Sequence, residues 1–247
     1  SERATVEGEA LFLRALTYFD MVRFFGGVPL RTAGVTNYGA DLDIARSSAD
    51  EIYAQVISDL TDAYAKLPAS NGEFADKYAA QALLARVYLQ QGNYASALAA
   101  ANDVLQNSGH SLASTFAGAF NNDADSSEDI FAFQVTSQDG SNVLVTHYAD
   151  MPNGGRGGDI VVDTYRTLFD STLDDRLFFF YYSNDNGGIL TGKYTNEYGN
   201  VPTIRVAEMH LIRAEANFRL GSSTGLAPLT EINALRARSG APALASL

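Results

Sequence analysis

A chain of 247 residues, 46% of them hydrophobic and 19% charged, has the apolar material for one large domain or two small ones, which excludes a disordered, collagen-like or coiled-coil chain. Seventeen basic residues against 29 acidic give a net charge of −12, and without a basic footprint nucleic acid and anionic membrane surfaces are poor partners. Cysteine is absent, which removes disulfides, thiolate metal sites and cysteine nucleophiles, and no uncharged apolar run reaches the roughly 18 residues of a spanning helix.

The segment from Glu7 to Phe25 is almost solidly apolar, and its polar residues Arg14, Thr17, Asp20 and Arg23 recur at intervals of three. That pattern predicts a helix with one narrow wet stripe and the rest buried, already running near residue 4. Gly26-Gly27 and Pro29 end it. Thr32 to Arg46 reads as loop and contains Tyr38. Ser48 with Glu51 is a capping box; Ile52, Val56, Leu60 and Tyr64 then repeat every four residues to Pro68. Asp76 opens a third helix, Gly92 ends it, and Gly92-Asn93-Tyr94 leads into a fourth with Ala97, Leu98, Ala101, Val104 and Leu105.

The third and fourth helices form a helical hairpin. Leu84, Ala85, Tyr88, Gly92, Tyr94, Ala97 and Leu105 fall where a tetratricopeptide repeat places its small, aromatic and leucine positions. Small Ala85 and Ala97 allow close approach, Tyr88 and Leu105 are expected in the seam, and Gly92 supplies the turn. Arg205 to Leu220 and Pro228 to Arg238 repeat the pattern more weakly, the first carrying Leu211, Ala214 and Phe218, with Gly221 between them. Glu7–Phe25 followed by Ala49–Leu67 makes a looser pair.

Between residues 110 and 202 Gly, Asn, Asp and Ser become frequent. Asp129 to Thr136 alternates as a short strand does, and Ile189 to Tyr194 reads as another. Asp159 caps a short helical run, and Arg176 to Tyr182 is an apolar burst whose Phe178, Phe179, Phe180 and Tyr182 are expected to pack on the helices. A loop-rich excursion of this length on a helical scaffold is where function is expected.

Three strings carry a family resemblance. Gly8-Glu9-Ala10-Leu11-Phe12-Leu13-Arg14-Ala15-Leu16-Thr17-Tyr18-Phe19-Asp20, running on to Gly27-Val28-Pro29-Leu30, is similar to the core helix of SusD/RagB-type outer-membrane nutrient-binding lipoproteins. Val201 to Ala216, with Arg213-Ala214-Glu215-Ala216, and Ile232 to Pro242, with Leu235-Arg236-Ala237-Arg238-Ser239-Gly240, resemble two further signatures of that family in the same order. The resemblance covers the helical parts, 1–107 and 201–244, and Asp174-Asp175-Arg176 is its best echo in the middle. It implies a mostly α fold: a single domain over 1–247 in which a tetratricopeptide-like helix-pair scaffold (1–109 and 201–247) carries a loop-rich ligand-binding insertion (110–200) with short β-strands. It further implies a protein tethered to the outer membrane by a lipid, seated as a lid over a SusC-like TonB-dependent transporter, binding oligosaccharide or in some members peptide, with no catalysis. The lipid-bearing cysteine, the stretch before the first helix and the family's closing aromatic motif are absent, so the sequence reads as a fragment or a short member.

The residues offer little catalytic chemistry. His110, His147 and His210 stand in no metal-binding spacing. Gly154-Gly155-Arg156-Gly157-Gly158 lacks the strand and the Lys-Ser/Thr of a phosphate loop and reads as a turn. Asn121 to Asp129 gathers hard oxygens, yet it lacks the central glycine and the twelfth-position carboxylate of an EF-hand, so a solvated acidic loop is the reading there. No cofactor or metal is expected. Glu208 and Glu215 are read as partners of arginines such as Arg219.

Sugar binding needs flat apolar faces for ring C–H groups and planar polar groups for hydroxyls. The excursion supplies Tyr148, Asn153, Arg156, Asp159, Tyr181, Tyr182, Asn184, Asp185, Asn186, Tyr194 and Tyr198. Of these Tyr148, Asn153, Arg156, Tyr181 and Asn184, together with Tyr38 in the first loop, are the candidate ligand-binding residues, while Tyr194 is expected to support the core. Tryptophan is absent, which leaves a smaller glycan or a peptide open. A helical-repeat scaffold gripping a partner's segment in its groove is the competing class.

Overall fold

The computed structural model describes residues 1–35, 43–138, 140–156, 163–169 and 172–247. Its backbone contacts divide into two compact units, Ser1–Ala100 and Ala101–Leu247. The fold is mostly α, with short strands confined to the second unit, as the sequence implies.

In the first unit α1 (Glu2–Phe25) packs against α2 (Ala49–Lys66). Phe12, Ala15, Phe19, Ile52, Leu60 and Ala63 are fully buried, at the 3–4-residue spacing of one helix face. Each large apolar side chain so buried stabilises by about 1.5–3 kcal/mol. Gly8 is a close-approach position: a Cβ there would sit 2.8 Å from Leu67 Cγ. At the rim Arg14 forks onto Asp59, Nε to Oδ2 at 2.7 Å and Nη2 to Oδ1 at 2.6 Å. The Ser48–Glu51 capping box forms as expected, Ser48 N donating to Glu51 Oε2 at 2.8 Å and Glu51 N to Ser48 Oγ at 3.3 Å. Asp76 caps α3 (Lys77–Gln90), accepting from Tyr78 N and Ala79 N, each at 2.8 Å. Gly92, at φ +72°, makes the turn into α4 (Tyr94–Asn107).

Two expectations need correction here. Helix α1 is not buried on most sides: Val6, Leu13, Phe24 and Phe25 are exposed, because within its unit α1 meets α2 along one face. In the hairpin, Ala85 and Ala97 are buried, whereas Tyr88 and Leu105 are half-buried and Val87 and Val104 take the interior places.

The second unit contains β1 (Asp129–Phe133), α5 (Val143–Tyr148), α6 (Asp163–Arg166), β2 (Phe180–Ser183), β3 (Gly188–Thr191), β4 (Val201–Arg205), α7 (Val206–Leu220) and α8 (Pro228–Arg238). Strands β1 and β4 pair antiparallel, Ala132 opposite Pro202 and Phe133 opposite Val201. Strands β2 and β3 form a hairpin from Phe180↔Thr191 to Ser183↔Gly188. Asp159, read as a cap, lies outside the described residues.

Helices α7 and α8 are joined through charge rather than through the leucines of the sequence pattern. Leu211 and Phe218 are exposed, and Arg213 is buried instead. Its guanidinium meets Glu231, which is 0% exposed, with Nη2 at 2.7 Å and Nε at 3.0 Å from Oε1. His210 Nδ1 lies 2.7 Å from the same oxygen, and Arg213 Nη1 donates to Asn102 Oδ1 at 2.9 Å. Glu215 pairs with Arg219 at 3.2 Å, as its spacing predicts.

The 176–182 burst does not pack as one block. Phe179 stacks with Phe116 and Phe120, both at 5.3 Å between centroids, and Phe180 meets Tyr165 at 5.9 Å. Phe178 and Tyr182 are exposed, Phe178 lying in the turn that precedes β2. The acidic stretch is likewise split. Asp123 and Asp125 are exposed, but Glu128 and Asp129 are buried, Glu128 Oε1 bonding Arg238 Nη1 and accepting from Ala113 N at 3.1 Å.

Candidate ligand-binding surface

Residues 141–156 fold into a tight knot whose geometry follows from its short-range polar groups. Asn142 caps α5, its side-chain oxygen accepting from Leu144 N at 2.9 Å and its amide donating to Gly199 O at 2.8 Å. Gly155 lets the chain double back: a Cβ there would lie 2.0 Å from Ala149 O. Arg156 N then donates to Thr146 O at 2.9 Å, which brings its side chain into the surroundings of α5. Ser141 Oγ donates to Glu197 Oε1 at 2.5 Å, and Asn142 N donates to Glu197 O at 2.8 Å. Segment 194–199 is thereby held against the knot.

Asp150 is the hub. It is 5% exposed, and among the described residues its side-chain partners are uncharged. Tyr181 OH accepts from Asp150 N at 3.1 Å and donates to Asp150 Oδ1 at 3.3 Å. Asn153 Nδ2 donates to the same Oδ1 at 2.7 Å, and Ser183 adds a further hydrogen bond. Burial pushes the carboxyl upward, but these donors outweigh it and hold Asp150 below the usual carboxylate range. Burial also raises the Tyr181 hydroxyl above the ordinary tyrosine value.

Tyr148 is 36% exposed, and its ring lies against that of Tyr194, with centroids 5.4 Å apart at 40°. Burial raises the Tyr194 hydroxyl.

Five of the six candidate residues therefore share one neighbourhood. Tyr148 presents its ring; Arg156 is exposed; Asn184 is exposed in the β2–β3 turn, next to the Ser183 that bonds Asp150. Asn153 and Tyr181 are half-buried and spend their polar atoms on Asp150, so they orient the surface. Tyr38 lies outside the described residues. Tyr182 and Tyr198 are exposed nearby in sequence. The sequence reading missed Asp150, Ser141 and Glu197: Asp150 meets Tyr181 across 31 residues and Ser141 meets Glu197 across 56, and nothing local separates them from other polar loop residues.

Two recesses lie elsewhere on this unit. A polar one of about 480 Å³ is lined by Ser114, Asn122, Asp123, Asp125 and Ser126. An apolar one of about 600 Å³ lies along α7 and α8, lined by Leu211, Ala214, Phe218, Ile232 and Leu247. Among the described residues no group of three or more His, Asp or Glu is placed to hold a metal, and no helix is long and apolar enough to cross a membrane.

Comparison with known proteins points one way. A family model described as "Starch-binding associating with outer membrane" matches residues 1–89, and one described as "SusD family" matches residues 179–246. The SusD-like protein P38 of Formosa agariphila is 34% identical over 106 residues, which are 42% of this chain and 21% of that relative. Among solved structures, a laminarin-binding SusD-like protein superposes with a TM-score of 0.83 at 22% identity, over 98% of this chain and 65% of that one. Surface glycan-binding protein A from Bacteroides uniformis gives 0.81 at 21% identity, over 97% and 61%. The chain thus spans less than two thirds of these relatives, and the two structural likenesses establish the fold.

Proposed function

We propose that this chain, which belongs to the SusD/RagB family, captures oligosaccharides at the cell surface without transforming them. In the full-length protein it is lipid-anchored to the outer membrane and delivers its cargo to a SusC-like TonB-dependent transporter. The observation that carries this reading is the Tyr148 ring, 36% exposed and set against Tyr194, with Arg156 and Asn184 also exposed and the 150–153 turn between Tyr148 and Arg156 tied by Asp150. A pyranose lays its C–H face on such a ring, and a guanidinium and a side-chain amide read its hydroxyls. The matched family description supports the same reading, since it is starch-binding and associated with the outer membrane. So do the names of two structural neighbours, one laminarin-binding and one glycan-binding.

Few contacts on an open surface give modest affinity. The test is a glycan array followed by calorimetric titration of the hits, with product analysis after long incubation. Binding with intact sugar recovered is the expected result; hydrolysis of the bound sugar overturns it. Peptides included in the titration separate a peptide-binding member, and binding unaffected by Tyr148→Ala and Arg156→Ala points to a helical-groove scaffold.

A further inference from the structure

The sulfur of this chain is all thioether. Cysteine is absent and there are three methionines, Met21, Met151 and Met209. Methionine is a flexible apolar residue that ordinarily fills gaps in cores. Met209, in α7, does so and is 0% exposed. Met21, in α1, is half-buried. Met151 is 73% exposed.

That exposure is built into the backbone. Met151 opens a short 3₁₀ turn, Met151–Asn153, and is followed by Pro152, whose ring fixes φ. Asp150 O accepts from Asn153 N at 3.0 Å and from Gly155 N at 2.9 Å, and Met151 O accepts from Gly154 N at 3.1 Å. Gly154, in the left-handed region at φ +81°, ends the turn. Asp150 ties the turn to β2 as well, its N donating to Tyr181 OH at 3.1 Å. Two successive residues therefore face opposite ways on one fixed turn: Asp150 inward, bonded to Asn153 Nδ2 at 2.7 Å, and Met151 outward into water.

A thioether reacts with peroxides through a sulfur lone pair, which needs no deprotonation, so access decides which methionine reacts first. A sulfur inside the core meets the oxidant only when the fold opens locally. Met151 needs no opening. Without cysteine in the chain, no thiol competes for the oxidant.

We propose that Met151 is the oxidation site of this chain, the thioether that first takes an oxygen atom from a peroxide, and that its sulfoxide weakens capture at the candidate surface. In the step itself a sulfur lone pair forms the S–O bond as the O–O bond of the peroxide breaks. The proton on the transferred oxygen passes to the departing one, which leaves as water when the oxidant is hydrogen peroxide. Sulfur is oxidised by two electrons and the peroxide is reduced by two. The product is polar and chiral where the parent side chain was apolar, and it stands in the turn between Tyr148 and Arg156. Methionine sulfoxide reductases reverse it, one enzyme for each sulfoxide epimer. The site follows from exposure and from the turn; its effect on sugar rests on the function proposed above.

The test is brief treatment of the full chain with hydrogen peroxide, the methionine peptides being quantified by mass mapping. Met151 should convert at least about tenfold faster than Met209, which the oxidant reaches only through local opening, and faster than Met21. In denaturant the three rates should converge, and the two reductases should restore the original mass. Met151→Leu, an apolar swap at an exposed position, should fold as the parent does and lose the fast oxygen uptake. Conversion of Met151 no faster than that of Met21 and Met209 overturns the proposal, and so does a difference that persists in denaturant. Titration with a glycan that the untreated chain binds reads the consequence. The oxidised parent should bind it severalfold more weakly, whereas Met151→Leu should bind it equally before and after treatment. Unchanged affinity of the fully oxidised parent overturns the effect on capture. A chain that binds no glycan before treatment overturns the proposed function instead, and the oxidation rates still decide the site.

Discussion

Two buried carboxylates organise two parts of the second unit, and they are compensated differently. Glu231, between α7 and α8, is met by the guanidinium of Arg213 and by His210. Asp150, under the candidate surface, is met by neutral dipoles: Asn153, Ser183 and Tyr181. A buried charge matched by a charge is costly to separate, so it fixes which helices meet. A buried charge matched by hydrogen-bond donors ties together the side chains that supply them, and here it ties the 150–153 turn to β2. The helix pair is therefore fixed by charge and the knot by hydrogen bonds.

Breaking the first arrangement should have the largest effect. Glu231→Gln preserves shape but strands Arg213 as an unpaired buried cation, and should cost about 3–5 kcal/mol of unfolding free energy. Chemical denaturation measures it, and a loss below about 1 kcal/mol would remove the distinction between the two carboxylates. Tyr181→Phe breaks the second arrangement more gently. It takes one donor from Asp150 and should cost roughly 1 kcal/mol, together with weakened oligosaccharide binding as the knot loosens.

Tyr148→Ala sharpens the comparison by separating surface from support. With its ring 36% exposed, the loss should fall on affinity, about 5- to 30-fold for a stacking contact of about 1–2 kcal/mol, with a melting temperature within about 2 °C of the parent. Titration and a thermal melt on the same sample decide it: unchanged affinity, or a large fall in melting temperature, would make Tyr148 a packing residue.

What the sequence disclosed, and what it hid, divides along the same line. The helix ends were legible because their signals are local. Ser48 and Glu51 cap α2 across three residues, Asp76 caps α3 through the next two amides, and Gly92 turns the hairpin. The aromatic kit of the excursion was legible as composition. The hubs were not. Asp150 meets Tyr181 across 31 positions, and Glu128 meets Arg238 across 110, so no window contains both partners. Arg213 and Glu231 sit on helices whose apolar pattern suggested a leucine seam, and that pattern is silent about which charged residue turns inward. Phe178 and Phe179 show the same limit, adjacent and alike in sequence yet one exposed and the other stacked against Phe116 and Phe120.

The smallest effect concerns acid. Hydrogen-bond donors hold Asp150 below the usual carboxylate range in the folded chain, whereas in the unfolded chain an aspartate titrates near 3.9. The folded state therefore binds this proton less readily. The stabilisation is fully present above the unfolded value and is lost as pH falls through the folded one. Asp174, lowered first by its hydrogen bond from Arg176 and held by it at 2.8 Å, contributes in the same direction, so the whole-chain acid curve does not isolate the hub. The difference between parent and Asp150→Asn does. Asparagine keeps an oxygen for Asn153 and Tyr181 but has no proton to gain in this range. The parent should exceed the variant by no more than about 1 kcal/mol at pH 6, and the gap should close below about pH 4. Denaturant melts at a series of pH values measure that gap, and one that stays constant down to pH 2.5 would mean that the Asp150 charge has no role in holding the knot.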